Sequence, residues 1–166
     1  FLREHGHRRV RVSSIPYPDT FGAESVELTL AEFDALVVSP DGGSDTANTP
    51  LYAFTAELLR SHPQLAADVP TMPRQLAELR AGGMALEVTS RAFYLGPRGS
   101  GAPWHFHVPA WNALYHGAKH WFLRPPSAAI YSKEAIGSWL ERDYATGSQL
   151  ECIQLGGDAM LLPDGW

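Results

Sequence analysis

Trp104-His105-Phe106-His107 is the most informative stretch of this sequence. Side chains of a β-strand alternate between the two faces of a sheet, so two histidines separated by one residue point to the same side. Neutral imidazole is the commonest protein ligand of transition metals. The spacing therefore predicts a metal site carried by a strand, with His105 and His107 as ligands. The alternative, in which both are ordinary polar residues of a strand, stays open at this point.

The sequence on both sides of this stretch predicts further strands. The apolar triplets Phe93-Tyr94-Leu95 and Trp121-Phe122-Leu123 have the composition of strands, as do residues 150–153. A helix is predicted between strands at residues 133–142. Residues 86–166 are thus expected to be mainly β.

Residues 1–85 carry more helical signals. Apolar residues recur at helical spacing over residues 28–37, and Thr29 is well suited to cap that helix. The other predicted elements are short: strands at residues 10–12 and 51–54, helical segments at 57–59 and 73–80, and a polar loop at 39–48. A helical first half followed by short strands predicts a mainly β protein with the double-stranded β-helix, or jelly roll, of the cupins.

The composition of the chain argues against some classes of function. The 166 residues are expected to form one domain, with residues 1–85 covering a β-helix core at 86–166. The net charge of -5 argues against a nucleic-acid-binding surface, because such surfaces need clustered basic residues. No apolar run is long enough to span a membrane. The single cysteine, Cys152, is expected to be a small apolar strand residue.

The two ends of the chain predict that it is a fragment. It begins at Phe1, without an initiator methionine, and it stops at Trp166 directly after a predicted turn. The last strands of the jelly roll are therefore expected to be missing.

Several segments of the chain resemble the jumonji C (JmjC) domain family. The segments that carry the resemblance are residues 99–107, 111–114, 117–126 and 157–166, together with residues 50–54, which match a Pro-x-Tyr-x-Phe strand. The resemblance implies a double-stranded β-helix and an oxygenase that uses Fe(II) and 2-oxoglutarate, with a protein as a possible class of substrate. No catalytic side chain beyond the metal ligands is implied.

The resemblance assigns roles to individual residues. His105 matches the first iron ligand, whereas His107 stands where most members have aspartate or glutamate. The third ligand, a histidine, is expected about two residues beyond Trp166, in keeping with the three-residue ligand set of such iron sites. Lys119 matches the basic residue that pairs with the distal carboxylate of 2-oxoglutarate, and Asn112 matches a polar position that contacts the co-substrate in some members.

Two departures from the family pattern keep two function classes open. His107 removes a negative charge from the metal's ligands, and Ala102 stands where active members often have a threonine hydroxyl. One class is an oxygenase that hydroxylates a protein side chain or a small molecule. The other is a JmjC-fold binding or scaffold protein whose metal site has drifted.

Overall fold

The computed structural model describes residues 1–38, 50–69, 74–85, 87–106, 108–143 and 150–166. The predicted loop at 39–48 lies outside these ranges, and so does His107, one of the two predicted metal ligands. The chain divides into two compact units. The first consists of Phe1–Pro70, Glu87–Pro103 and Lys133–Leu140, and the second of Thr71–Leu86, Trp104–Ser132 and Glu141–Trp166.

The first unit contains a four-stranded antiparallel sheet. Its strands, in spatial order, are β2 (Ser25–Thr29), β1 (Arg9–Ser13), β3 (Tyr52–Thr55) and β4 (Phe93–Leu95). The helices described in this unit are short: α1 (Leu2–His5), α2 (Pro18–Phe21), α3 (Leu30–Val38), α4 (Glu57–Ser61) and α5 (Pro63–Ala67). Strands β3 and β4 pair although they come from opposite sides of the predicted boundary at residue 85.

The core of the first unit lies between the sheet and helix α3. Val10 and Val12, two residues apart on β1, are both buried, as the alternation of a strand requires. Helix α3 contributes Leu30 and Phe33, which are also buried. Burying an aliphatic or aromatic side chain of this size stabilises a fold by roughly 1.5–3 kcal/mol.

The N-terminus of α3 has the cap that the sequence predicts. The backbone N–H of Glu32 donates to Oγ1 of Thr29 at 3.2 Å, and the Thr29 N–H donates to Oε2 of Glu32 at 2.7 Å. This reciprocal pair is a capping box, and it satisfies two backbone donors that a helix start leaves without partners. The cap fixes the point where strand β2 ends and the helix begins.

The second unit contains two antiparallel strand pairs. Strand β5 (Ala110–Ala113) pairs with β8 (Ala159–Leu162), and β6 (Ala118–Leu123) pairs with β7 (Leu150–Leu155). The pairing is nested: β5 and β8, the first and last of the four strands in the sequence, pair with each other, and β6 and β7, which lie between them, form the other pair. Helix α6 (Arg74–Ala81) and a short 3₁₀ helix (Pro126–Ala128) also belong to this unit, and helix α7 (Ile136–Asp143) begins in the first unit.

Most of the predicted elements are confirmed. The predicted strands at 10–12, 51–54, 93–95, 121–123 and 150–153 fall in β1, β3, β4, β6 and β7, and the predicted helices at 28–37, 57–59, 73–80 and 133–142 fall on α3, α4, α6 and α7. Strand β2 was not predicted, so residues 1–85 hold more strand than their helical patterns indicate. Among the described helices, none is both long and apolar enough to cross a membrane.

Candidate functional site

Lys119 and Gln154 face each other across the β6–β7 pair. Lys119 of β6 is the register partner of Gln154 of β7, and Trp121 lies two residues along β6 on the same face. Burial identifies this as the inner face, because Gln154 is 4% exposed whereas its neighbour Ile153, on the opposite face, is 65% exposed. The predicted co-substrate lysine is therefore held on the inner side of its strand pair.

The charge of Lys119 lies against an aromatic ring. Its Nζ atom is 4.4 Å from the centre of the Trp121 ring, within the range of a cation–π interaction. Burial lowers the pKa of Lys119 to about 8. The ammonium form still predominates at pH 7, so the inner face presents a positive charge there.

Gln154 connects the strands that carry both predicted co-substrate residues. Its Nε2 donates to the backbone oxygen of Asn112 on β5 at 2.9 Å and to the backbone oxygen of Asp158 at 3.0 Å. Its Oε1 accepts a hydrogen bond from Nε1 of Trp121 at 2.9 Å. One buried amide thus ties β7 to β5, to β6 and to the turn before β8.

The side chain of Asn112 has an unused polar atom. Asn112 lies on β5 opposite Met160, and its Oδ1 atom is buried with no hydrogen-bond partner among the described residues. A buried polar group without a partner costs roughly 1–3 kcal/mol. Within the described part of the chain, Oδ1 therefore lacks a hydrogen-bond partner that a polar ligand would supply.

The segment around His105 corrects the sequence prediction. Residues 104–106 lie in no strand, so the prediction of a strand-borne histidine pair is wrong for the part of the pair that the structure describes. Pro103 and Pro109 flank the segment and lack the N–H that a sheet ladder needs, which disfavours a paired strand here. Strand alternation therefore gives no reason to place His105 and His107 on one face.

Side chains and backbone from the region after β6 hold this segment in place. Ser132 donates its N–H to the Trp104 oxygen at 2.8 Å, and the Tyr131 hydroxyl donates to the Phe106 oxygen at 2.7 Å. The guanidinium carbon of Arg124 lies 4.3 Å from the centre of the Trp104 ring. These contacts lie on both sides of His105 in the sequence and restrict its backbone.

The metal site stays a prediction. His105 is half-buried, but its predicted partner His107 lies outside the described ranges. Within those ranges, no three side chains of histidine, cysteine, aspartate or glutamate gather into a group that could hold a metal ion. The described residues thus provide one of the expected ligands and do not complete an iron site.

Two other polar residues of the second unit, Asp158 and Cys152, are also described by the structure. Oδ2 of Asp158 accepts a hydrogen bond from the N–H of Leu155 at 2.8 Å, so Asp158 stabilises the turn before β8. Cys152 is half-buried opposite Trp121, and burial raises the pKa of its thiol.

Sequence reasoning missed Gln154 as part of this site and identified Trp121 only as part of a predicted strand. A glutamine inside an apolar strand is a weak signal of a buried polar contact. Its partner Trp121 lies far away in the sequence, so only the strand register brings the two side chains together.

JmjC proteins are the class that this chain resembles, as the sequence motifs predict. No protein-family model matches the chain. JmjC domain-containing protein 8 of Homo sapiens is 25% identical over 171 residues, which cover 99% of this chain and 61% of that protein. The Arginine-specific demethylase JMJ22 of Arabidopsis thaliana is 28% identical over 138 residues, covering 70% of this chain and 27% of that protein.

A third relative is named for its co-substrate and metal. The 2-oxoglutarate and iron-dependent oxygenase JMJD4 of Gallus gallus is 31% identical over 93 residues, covering 46% of this chain and 22% of that protein. The chain spans 61% of the length of the human JmjC domain-containing protein 8. Together these relatives imply a cupin-type β fold, with which the antiparallel sheets agree.

Proposed function

We propose that the chain is the JmjC domain of an oxygenase that depends on Fe(II) and 2-oxoglutarate and acts on a protein side chain. One observation carries the proposal: Lys119 lies on the inner face of the second unit opposite Gln154, and Gln154 donates a hydrogen bond to the backbone of Asn112. The names of the relatives JMJ22 and JMJD4 supply the reaction class and the co-substrate.

The proposed fold is a double-stranded β-helix in a single domain, with residues 1–85 covering a core at 86–166. The nested pairing supports it, because the consecutive strands β5 and β6 belong to different strand pairs, and so do β7 and β8. In a jelly roll the chain passes between its two sheets in this way.

In the proposed site, Lys119 binds one carboxylate of 2-oxoglutarate. A charge-assisted hydrogen bond from an ammonium to a carboxylate is about twice as strong as a neutral one, and partial burial reduces competition from water. The amide of Asn112, whose Oδ1 has no partner among the described residues, is the second polar contact. Both residues orient the co-substrate and take no part in proton transfer.

His105 and His107 are the proposed metal ligands. Bound Fe(II) would supply open coordination positions for the keto acid and for dioxygen. Histidine in place of the usual carboxylate removes one negative charge from the ligand set, so the metal should be held less tightly than in relatives with a carboxylate.

A second candidate function is a JmjC-fold binding or scaffold protein without turnover. The observations that favour it are His107 in the carboxylate position and Ala102 in place of a hydroxyl residue. In this case 2-oxoglutarate or another dicarboxylate would bind at Lys119 and stay unchanged.

The test is conversion of 2-oxoglutarate to succinate by the full-length protein with Fe(II) and ascorbate. It is run beside Lys119→Ala and beside Lys133→Ala, which removes an exposed lysine as a matched control. Turnover that survives Lys133→Ala and is lost in Lys119→Ala supports the oxygenase. Binding without turnover supports the scaffold, and equal binding by all three proteins removes Lys119 from the site.

A further inference from the structure

Both ends of the Gln154 side-chain amide form hydrogen bonds within the second unit. The side chain is 4% exposed, and among the described residues it donates to two backbone oxygens and accepts from one indole N–H. A glutamine amide has two N–H donors and one carbonyl acceptor, so each end has a partner. An amide with these bonds is fixed in both position and orientation.

The indole of Trp121 is oriented by the same amide. Its Nε1–H donates to Gln154 at 2.9 Å, and a buried indole N–H needs such a partner. The face of the ring lies 4.4 Å from Nζ of Lys119. The orientation of the ring therefore determines where the favourable position for the ammonium lies.

We propose that Gln154 and Trp121 are positioning residues that set the place of the Lys119 ammonium. Gln154 fixes the indole through its hydrogen bond, and the indole face holds the lysine. This inference rests on the proposed function in one respect, namely that Lys119 binds a carboxylate of the co-substrate. Lysine has a long and flexible side chain, so holding its end in place reduces the entropy lost when a ligand binds.

An amide is required at position 154 because its nitrogen contacts two acceptors. The backbone oxygens of Asn112 and Asp158 both accept from Nε2, and a methionine of similar length can donate to neither. Gln154→Met therefore removes the anchor of the indole without adding charge beside Lys119. Trp121→Phe is the milder variant, since it keeps an aromatic face and loses only the N–H and part of the ring.

The experiment measures Lys119 directly and does not depend on turnover. The full-length protein is labelled with ¹³C at lysine Cε, the Lys119 signal is assigned by its loss in Lys119→Ala, and its titration is followed by NMR. We expect a lower titration midpoint in Gln154→Met and in Trp121→Phe, because a displaced or smaller ring stabilises the ammonium less. Gln64→Met, at an exposed glutamine, is the matched control and should leave the midpoint unchanged.

Calorimetry with 2-oxoglutarate supplies the second measurement. We expect about fivefold weaker binding in Gln154→Met, because a lysine that is no longer held loses about 1 kcal/mol more of side-chain freedom when it binds the ligand. A folded Gln154→Met or Trp121→Phe protein with the wild-type midpoint overturns the inference. If the wild-type protein binds no 2-oxoglutarate, the proposed function fails, while the NMR titration still decides whether these residues position Lys119.

Discussion

The Lys119 ammonium lies 4.4 Å from the centre of the Trp121 ring, and both side chains project from the same face of β6. An aromatic ring attracts a cation without contributing negative charge of its own. The contact therefore stabilises the charged form of the lysine. This combination suits a site that must be charged before a dicarboxylate arrives.

Binding of 2-oxoglutarate should depend on pH through Lys119. Burial lowers the pKa of this lysine to about 8, so the ammonium is present below that pH and is lost as the pH rises through it. We expect constant affinity near neutral pH and a fall approaching about tenfold per pH unit above about pH 8. Calorimetry across this range checks it, and Lys119→Ala should show no such fall. A wild-type affinity that does not change with pH would contradict the assignment.

The stability of the protein should also respond to this lysine. Its pKa in the folded chain, about 8, lies below the ordinary value of 10.5, so between these values the unfolded state binds more protons and folding becomes more favourable as the pH rises. Lys119→Met should therefore stabilise the protein at pH 7, by an amount that shrinks as the pH increases. Urea unfolding of both proteins at about pH 7 and pH 9 tests this. A constant difference between them would show that burial does not disfavour the charge.

Replacing Asn112 should weaken the binding of 2-oxoglutarate without lowering the stability of the fold. Its Oδ1 is buried without a partner among the described residues, so Asn112→Leu removes a cost of roughly 1–3 kcal/mol, less any cost of repacking. We expect a melting temperature equal to or above that of the wild type, together with weaker binding of 2-oxoglutarate. Thermal unfolding with and without 2-oxoglutarate measures both effects. Strong stabilisation of the variant by the ligand would exclude Asn112 from the site.

The hydroxyl of Tyr131 should matter for metal binding at His105. It donates to the Phe106 oxygen at 2.7 Å, and Tyr131→Phe removes that bond while it keeps the ring contact with Phe106. We expect a loss of stability of about 1 kcal/mol and weaker binding of Fe(II) or Zn(II) to the full-length protein. Tyr115→Phe, at an exposed tyrosine of the same unit, serves as the control. Unchanged metal affinity in Tyr131→Phe would show that this bond does not position the histidine.

Features that depend on near neighbours could be predicted from the sequence. The cap of α3 is one case, because Thr29 and Glu32 are three residues apart and the helix geometry alone brings them together. The periodicity around residues 28–37 identified the helix, and runs of apolar residues identified β3, β4 and β6. The strand prediction at His105 is wrong because Pro103 and Pro109 disfavour a paired strand, whatever the spacing of the histidines.

The arrangement of the candidate site was decided by the tertiary structure. The sequence by itself predicted strands next to Lys119 and Gln154, and its motifs determined the resemblance to JmjC proteins. Only the register between β6 and β7 places Gln154 opposite Lys119, and a shift of one residue would bring Ile153 to the inner face instead. That register depends on contacts between residues far apart in the chain, and no local sequence pattern encodes the free energies of those contacts. Helix caps and helical periodicity, in contrast, depend on interactions within a few residues.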